Sequence, residues 1–307
     1  MSPNNIPMLV LSGNHCMPVI GLGTAEYQIP HEEAKTAIVE AIKAGYRHFD
    51  TASRYGTEQA LGEAIEEALK LGLVGSRAEL FITSKLWTTD AYPDRVLPAL
   101  QKSLRLLKLE YLDLYLIHTP FSSRLKSDSE FPSKEDIEPL DVKGVWAAME
   151  ECKKLGLTKS IGVSNFPVKT LENLLSVATI IPSLNQVEMN PTNQQKELRE
   201  YCEQKGILIT AYSPLGAPGT FWGNNRVLDN EILIDIAKSR GKSVAQVSLR
   251  WLFEQGVGFI AKSFNKERMK ENLEIFDWSL TENDLERISQ IKQVRLNQEN
   301  PLFEYMA

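Results

Sequence analysis

Short apolar runs alternate with longer amphipathic segments along most of the chain. Apolar runs at residues 19–24, 46–50, 80–85, 112–117, 159–163, 183–187, 207–211 and 257–261 are rich in Ile, Leu and Tyr. That composition suits strands covered on both faces. The segments between them place apolar residues at helical spacing. In 32–44, Ala34, Ile38, Ala41 and Ile42 share one face, and Gly45 supplies the residue that most easily ends a helix in a left-handed conformation. The same reading predicts helices over 57–71, 92–107, 142–155, 167–178, 193–205, 229–240, 243–254, 266–276 and 281–292, with Gly72, Gly156 and Gly206 as further stops. The last helix opens on a capping box from Thr281 to Asp284, with Asp in place of the usual Glu.

Ahead of this rhythm, residues 8–11 and 16–19 flank Ser12-Gly13-Asn14 and read as a hairpin. The stretch 121–140 is polar and contains proline, residues 213–226 form a Gly/Pro-rich loop, and the tail after Gln293 is polar. Parallel strands need helical crossovers, and eight of them close into a cylinder. The predicted fold is therefore α/β, a (β/α)8 TIM barrel forming a single domain over residues 1–307, with two extra helices in the C-terminal half. A doubly wound open sheet is the rival. It lacks support, because no GxGxxG follows any strand.

Composition narrows the class. The 307 residues are 43% hydrophobic and 24% charged, ordinary for a globular chain, and the net charge of −6 speaks against nucleic acid or an anionic membrane as partner. Cys16, Cys152 and Cys202 show no CxxC spacing and no nearby histidine pair. Neither a disulfide framework nor a metal site is expected. No basic segment followed by a long apolar run opens the chain, and no apolar stretch reaches bilayer length, so a cytoplasmic protein is expected.

The chemistry collects where the strands end: Asp50, Lys85, His118, Ser164-Asn165, Gln186, Tyr212-Ser213 and Lys262-Ser263. In a barrel these positions share the C-terminal rim, where barrel enzymes carry their sites. Tyr55 lies in the loop just past Asp50. Each of the four has an ordinary structural explanation alone: Tyr55 as a loop aromatic, Asp50 and Lys85 as an ion pair, His118 as a satisfied rim histidine. Together they have a chemical one. A phenol titrates near ~10. An ammonium beside it favours the phenolate, a carboxylate keeps the ammonium charged, and an imidazole can donate to a carbonyl oxygen. The set is a proton donor aimed at a carbonyl becoming an alkoxide. The hydride has to come from a cofactor, since no side chain donates one. His48, two residues before Asp50 on the same side of its strand, reads as structural; His15 and His31 read as solvated turn residues.

On residues 45–52, 112–118 and 161–166, on 212–216, and on Lys262-Ser263 with Arg268 and Glu271-Asn272, the chain resembles the aldo-keto reductase superfamily. That resemblance covers nearly the whole chain. It implies the (β/α)8 barrel with the N-terminal hairpin closing its bottom. It implies Tyr55 as general acid, tuned by Lys85 and Asp50, with His118 orienting the carbonyl. It also implies NADPH as cofactor. Gly23, Thr24 and Asp50 would line its site; Ser164, Asn165 and Gln186 would hold the carboxamide, and Tyr212 would stack on the nicotinamide. Ser213, Leu215 and Gly216 would cover the pyrophosphate. Lys262, Ser263 and Arg268 would clamp the 2′-phosphate, with Glu271 and Asn272 beside them. Two cations and a hydroxyl suit a phosphate dianion, whereas a ribose diol selecting NAD favours an acid.

Residues 79–87, 144–152 and 211–217 resemble most closely the plant group containing chalcone (polyketide) reductase, codeinone reductase and methylecgonone reductase. Sugar-reducing members of the superfamily commonly carry tryptophan where this chain has Ala25 and Thr119. Smaller side chains widen the pocket, whose other walls are expected from Tyr27, Trp87, Phe121, His118 and Trp222, with Phe221 a further candidate. The implied substrate is a small-molecule ketone, bulky or polycyclic, reduced to a secondary alcohol in plant specialised metabolism. Three other readings stay open: a broad aldehyde-detoxifying reductase, a cofactor-binding regulatory barrel, and a reductase in transient contact with a polyketide synthase. A monomer is expected.

Overall fold

The computed structural model describes residues 6–26, 29–125, 132–220 and 223–295. Eight parallel strands close into a barrel: β3 (Ile20–Gly23), β4 (His48–Asp50), β5 (Phe81–Leu86), β6 (Leu112–Ile117), β9 (Thr158–Ser164), β10 (Leu184–Glu188), β11 (Leu208–Tyr212) and β12 (Gly258–Ala261), which pairs back onto β3. Helices α1 (His31–Ala44), α2 (Glu58–Lys70), α3 (Val96–Leu107), α4 (Val142–Lys154), α5 (Val168–Val177) and α6 (Lys196–Gln204) follow successive strands. Helices α7 (Glu231–Arg240) and α8 (Val244–Glu254) both follow β11, and α9 (Lys266–Leu273) and α10 (Glu282–Ser289) both follow β12. These pairs account for the two extra helices. Each predicted strand and helix is present, with ends displaced by a few residues.

The helices form because each buries one stripe. In α2, Ala60, Leu61, Ala64, Ile65 and Ala68 recur at helical spacing and are buried. Gly62 interrupts this helix for a steric reason: a Cβ there would lie 2.4 Å from the Leu107 carbonyl oxygen, so α2 and the end of α3 approach through it. The capping box at Thr281 is present as read, its hydroxyl accepting from Asp284 N while the Asp284 side chain accepts from Thr281 N.

The hairpin, β1 (Met8–Val10) with β2 (Cys16–Pro18), closes the N-terminal end of the barrel. Leu9, Leu11 and Met17 pack onto Phe81, Leu114, Leu116 and Leu184. His15 is a correction to the sequence reading. Its Nδ1 lies 3.1 Å from Ser160 Oγ and its Nε2 lies 3.4 Å from the buried Asp113 carboxylate, which pins the hairpin turn to the barrel. His31 is exposed as expected but opens α1, and it bonds Glu63 at 2.8 Å.

The polar stretch after β6 holds a feature the periodicity did not reveal. A second hairpin, β7 (Phe121–Ser123) with β8 (Ile137–Pro139), lies across it. Ser122 Oγ donates to Ala91 O at 2.6 Å and Tyr92 OH to Glu138 Oε2 at 2.7 Å. Three-residue strands are too short for an alternation to register. This hairpin sets Phe121 at the mouth of the barrel.

Candidate active site at the C-terminal rim

Side chains two apart on a strand point the same way, and this stacks the barrel interior in layers. The register sets Asp50 opposite Thr83 and His48 opposite Phe81. His48 Nε2 lies 3.2 Å from Thr83 Oγ1, and its Nδ1 lies 3.2 Å from Pro18 O. Burial pushes His48 down to about 4, and its two ring nitrogens face partners within the barrel, in keeping with the structural role read from the sequence.

One layer higher, Lys85 Nζ donates to Asp50 Oδ1 at 2.5 Å and to Thr51 O at 3.0 Å. The second carboxylate oxygen accepts from Gln186 Nε2 at 2.8 Å. Lys85 is fully buried. Burial pushes its ammonium down, and the Asp50 charge and hydrogen bond oppose that. The ammonium lies 5.0 Å from the centroid of the Tyr55 ring. Tyr55 stands in a single turn, Ser53–Tyr55, directly after β4. Its hydroxyl is 3.4 Å from His118 Nε2.

His118 follows β6, with its ring edge-on to both Tyr55 and Trp87 at 5.6 and 5.0 Å between centroids. Its Nδ1 is buried without a partner among the described residues. Burial first, then the charges of Lys85 and Arg54, hold its pKa well below the ordinary imidazole value. His118 is therefore neutral near physiological pH, able to donate from one ring nitrogen only.

Asn165 and Ser213 adopt left-handed backbone conformations, φ 63° and 49°, uncommon for residues with a Cβ. At Asn165 the surroundings fix the geometry. Its amide nitrogen donates to His118 O at 3.0 Å, and its oxygen accepts from Tyr212 OH at 2.7 Å. The rim residues at the ends of β6, β9 and β11 are thus tied together.

A cavity of about 950 Å³ opens over this rim. At the barrel mouth it is walled by Asp50, Tyr55, Trp87, His118, Thr119 and Phe121. Ala25, Gly23, Ser164, Asn165, Gln186 and Tyr212 also face it, as do Ser213 and Leu215. It runs out to Lys262, Ser263, Arg268, Glu271 and Asn272 beside α9. Lys85, Thr24 and Gly216 are set back from the wall; Thr24 instead donates to Asp50 O at 3.1 Å and lies 2.8 Å from Thr57 Oγ1. Tyr27, Phe221 and Trp222 lie outside the described residues. The sequence reading missed Glu26, Ile29, Pro132, Leu228 and Phe264, which also line the cavity. Glu26 and Phe264 adjoin residues already singled out, so contiguity was their one signal. Pro132 and Leu228 come from irregular segments with none.

The cavity's volume and lining suit a large, partly anionic ligand. Two cations stand near one end, and amides with an aromatic ring stand near the other. A Cβ on Gly23 would meet Ile260 Cγ2 at 2.9 Å, so only glycine leaves that part of the floor low. Beside the ring and amides, a phenol next to an ammonium and a neutral imidazole can bind a carbonyl oxygen and deliver a proton to it.

A closed parallel barrel with this rim is a barrel enzyme of carbonyl chemistry. The chain belongs to the aldo/keto reductase family, whose model matches residues 19–293. An NAD(P)H-dependent 6′-deoxychalcone synthase of Glycine max is 60% identical over 295 residues, 95% of this chain and 93% of that protein. An NADPH-dependent codeinone reductase of Papaver somniferum is 59% identical over 297 residues, 96% of this chain and 92% of that protein. The crystal structure of a Bombyx mori aldo-keto reductase in complex with NADP superposes with a TM-score of 0.84 at 39% identity, covering 94% and 93% of the two chains. The resemblance to plant reductases is borne out, as is the barrel.

Proposed function

We propose that the protein uses NADPH to reduce a bulky ketone to a secondary alcohol in plant specialised metabolism of the alkaloid or polyketide kind. Relatives of about 60% identity are named for codeinone and for a deoxychalcone. The observation that carries the reading is the position of Tyr55, between the Lys85 ammonium and His118 on the cavity wall, with Asp50 fixing the lysine from behind.

In this reading Ser164, Asn165, Gln186 and Tyr212 hold the nicotinamide end of the cofactor, and Ser213, Leu215 and Gly216 the pyrophosphate. Lys262, Ser263 and Arg268 take the 2′-phosphate. When bound, NADPH supplies the hydride that no side chain can. His118, neutral, donates a hydrogen bond from Nε2 to the carbonyl oxygen and fixes its direction. As negative charge grows on that oxygen, Tyr55 gives up its proton, and the phenolate left behind is stabilised by Lys85. General acid catalysis of this kind contributes typically ~10²–10⁴-fold. Asp50 keeps Lys85 charged and in place, so it is a positioning residue.

Ala25 and Thr119 leave room beside Trp87 and Phe121. The Thr119 hydroxyl donates to Phe121 O at 3.2 Å, which takes that polar group out of the pocket. A substrate with an apolar ring system suits such a wall. We take the protein to act in the cytoplasm as a monomer. Among the described residues no helix is long and apolar enough to cross a membrane.

Steady-state assays with NADPH on small aldehydes, morphinan-like and tropinone-like ketones and polyketide ketones test the reading. High efficiency on a bulky ketone supports it. Efficiency confined to small aldehydes makes the protein a broad aldehyde reductase. Polyketide reduction only when a synthase is added makes it partner-dependent.

A further inference from the structure

Glu26 has no role so far, yet it lines the same cavity as the cations at its outer end. It follows β3, and Lys262 follows β12. These strands are neighbours, with Leu22 opposite Ala261, so the two side chains rise from adjacent strand ends. Lys262 Nζ donates to Glu26 Oε2 at 2.5 Å, with the side chains 33% and 36% exposed. Arg268 differs. Its backbone N–H donates to the Asn265 side chain, and its guanidinium makes no ion pair among the described residues. Glu271 lines the cavity nearby but pairs with neither cation. The two cations assigned to the phosphate are therefore unequal: one already has a carboxylate partner, and the other has none among the described residues.

Resting on the clamp reading above, we infer that Glu26 is a resident counter-ion that competes with the 2′-phosphate for Lys262 and so limits how strongly the protein prefers NADPH over NADH. For Lys262 to meet a phosphate it has to share or leave Glu26. The Glu26 charge also repels the incoming dianion from the same wall. Both effects act on the phosphorylated cofactor and spare the one with a plain ribose. Partly exposed ion pairs are weak, so the expected effect of removing Glu26 is about a two- to fivefold change in affinity. It should shrink as salt rises.

The test measures dissociation constants of NADPH and NADH, by quenching of tryptophan fluorescence, for the wild type, Glu26→Gln, Lys262→Met and the double variant. Both residues are partly exposed, and thermal melts check that each variant is folded. The inference predicts that Glu26→Gln binds NADPH two- to fivefold more tightly and NADH unchanged, and that the gain is lost in the Lys262→Met background. Equal shifts for both cofactors, weaker binding of both, or a gain that persists without Lys262 would each overturn it. If Lys262→Met leaves NADPH affinity intact, the clamp itself is wrong. If Lys262→Met weakens NADPH but Glu26→Gln does not tighten it, the clamp stands and the role of Glu26 fails.

Discussion

Lys85 Nζ sits 2.5 Å from Asp50 Oδ1, with the two side chains 0% and 4% exposed. The pair joins β5 to β4 one layer above His48 and Thr83, and it lies under the ring of Tyr55. A buried pair of this kind adds little net stability, but losing one partner strands the other's charge out of water.

Lys85→Met should therefore destabilise the fold by about 3–5 kcal/mol, as read by urea denaturation. It should also lower kcat by at least ~10²-fold through loss of the ammonium beside Tyr55. The double variant Asp50→Asn with Lys85→Met should be more stable than Lys85→Met alone, since no charge is then left unpaired. A single variant as stable as the wild type would show that water reaches this layer.

The buried histidines set an acid limit. The folded pKa of His48 is depressed, to about 4 from an ordinary 6.5. The unfolded chain therefore takes up its proton first as pH falls. The stabilisation is complete above about 6.5 and is lost on descending towards about 4, up to roughly 3 kcal/mol from this residue. His118, depressed in the same direction, adds to the loss. Urea midpoints across that range should fall steadily with acid. Histidine NMR should show His48 still neutral well below the ordinary imidazole value of 6.5.

The pocket makes a sharper claim about substrate. Thr119→Trp or Ala25→Trp should cut kcat/KM for a bulky ketone by at least ~10-fold, about 1.4 kcal/mol, while sparing small aldehydes. Thr119→Val should leave turnover nearly unchanged, because the hydroxyl serves Phe121 O and not the cavity. Its cost should appear in stability instead, about 1 kcal/mol for the carbonyl left unserved.

What could be read from the sequence follows from the physics of each part. Barrel strands are apolar on both sides and end in polar residues at one rim, so the pattern alone places Asp50, Lys85 and His118 there. Tyr55, in the loop just past Asp50, takes its role from the chemistry of the set: a phenol beside an ammonium and an imidazole. Three features escaped. The hairpin around Phe121 and Pro139 is too short to leave a period. His15 looked like a turn residue because its partner, Asp113, is 98 positions away in the chain. The Glu26–Lys262 pair spans 236 positions, and only the closure of β12 onto β3 brings it together. Local periodicity reports what an element buries. It does not report which distant element completes a polar group.

The central claim is that Tyr55 supplies the proton. Tyr55→Phe keeps the ring, its packing on His118 and the cofactor groove, and removes only the hydroxyl. Stopped-flow oxidation of NADPH by a ketone the wild type reduces should slow by at least ~10²-fold in this variant, with NADPH affinity unchanged. Turnover within a fewfold of the wild type would contradict the account.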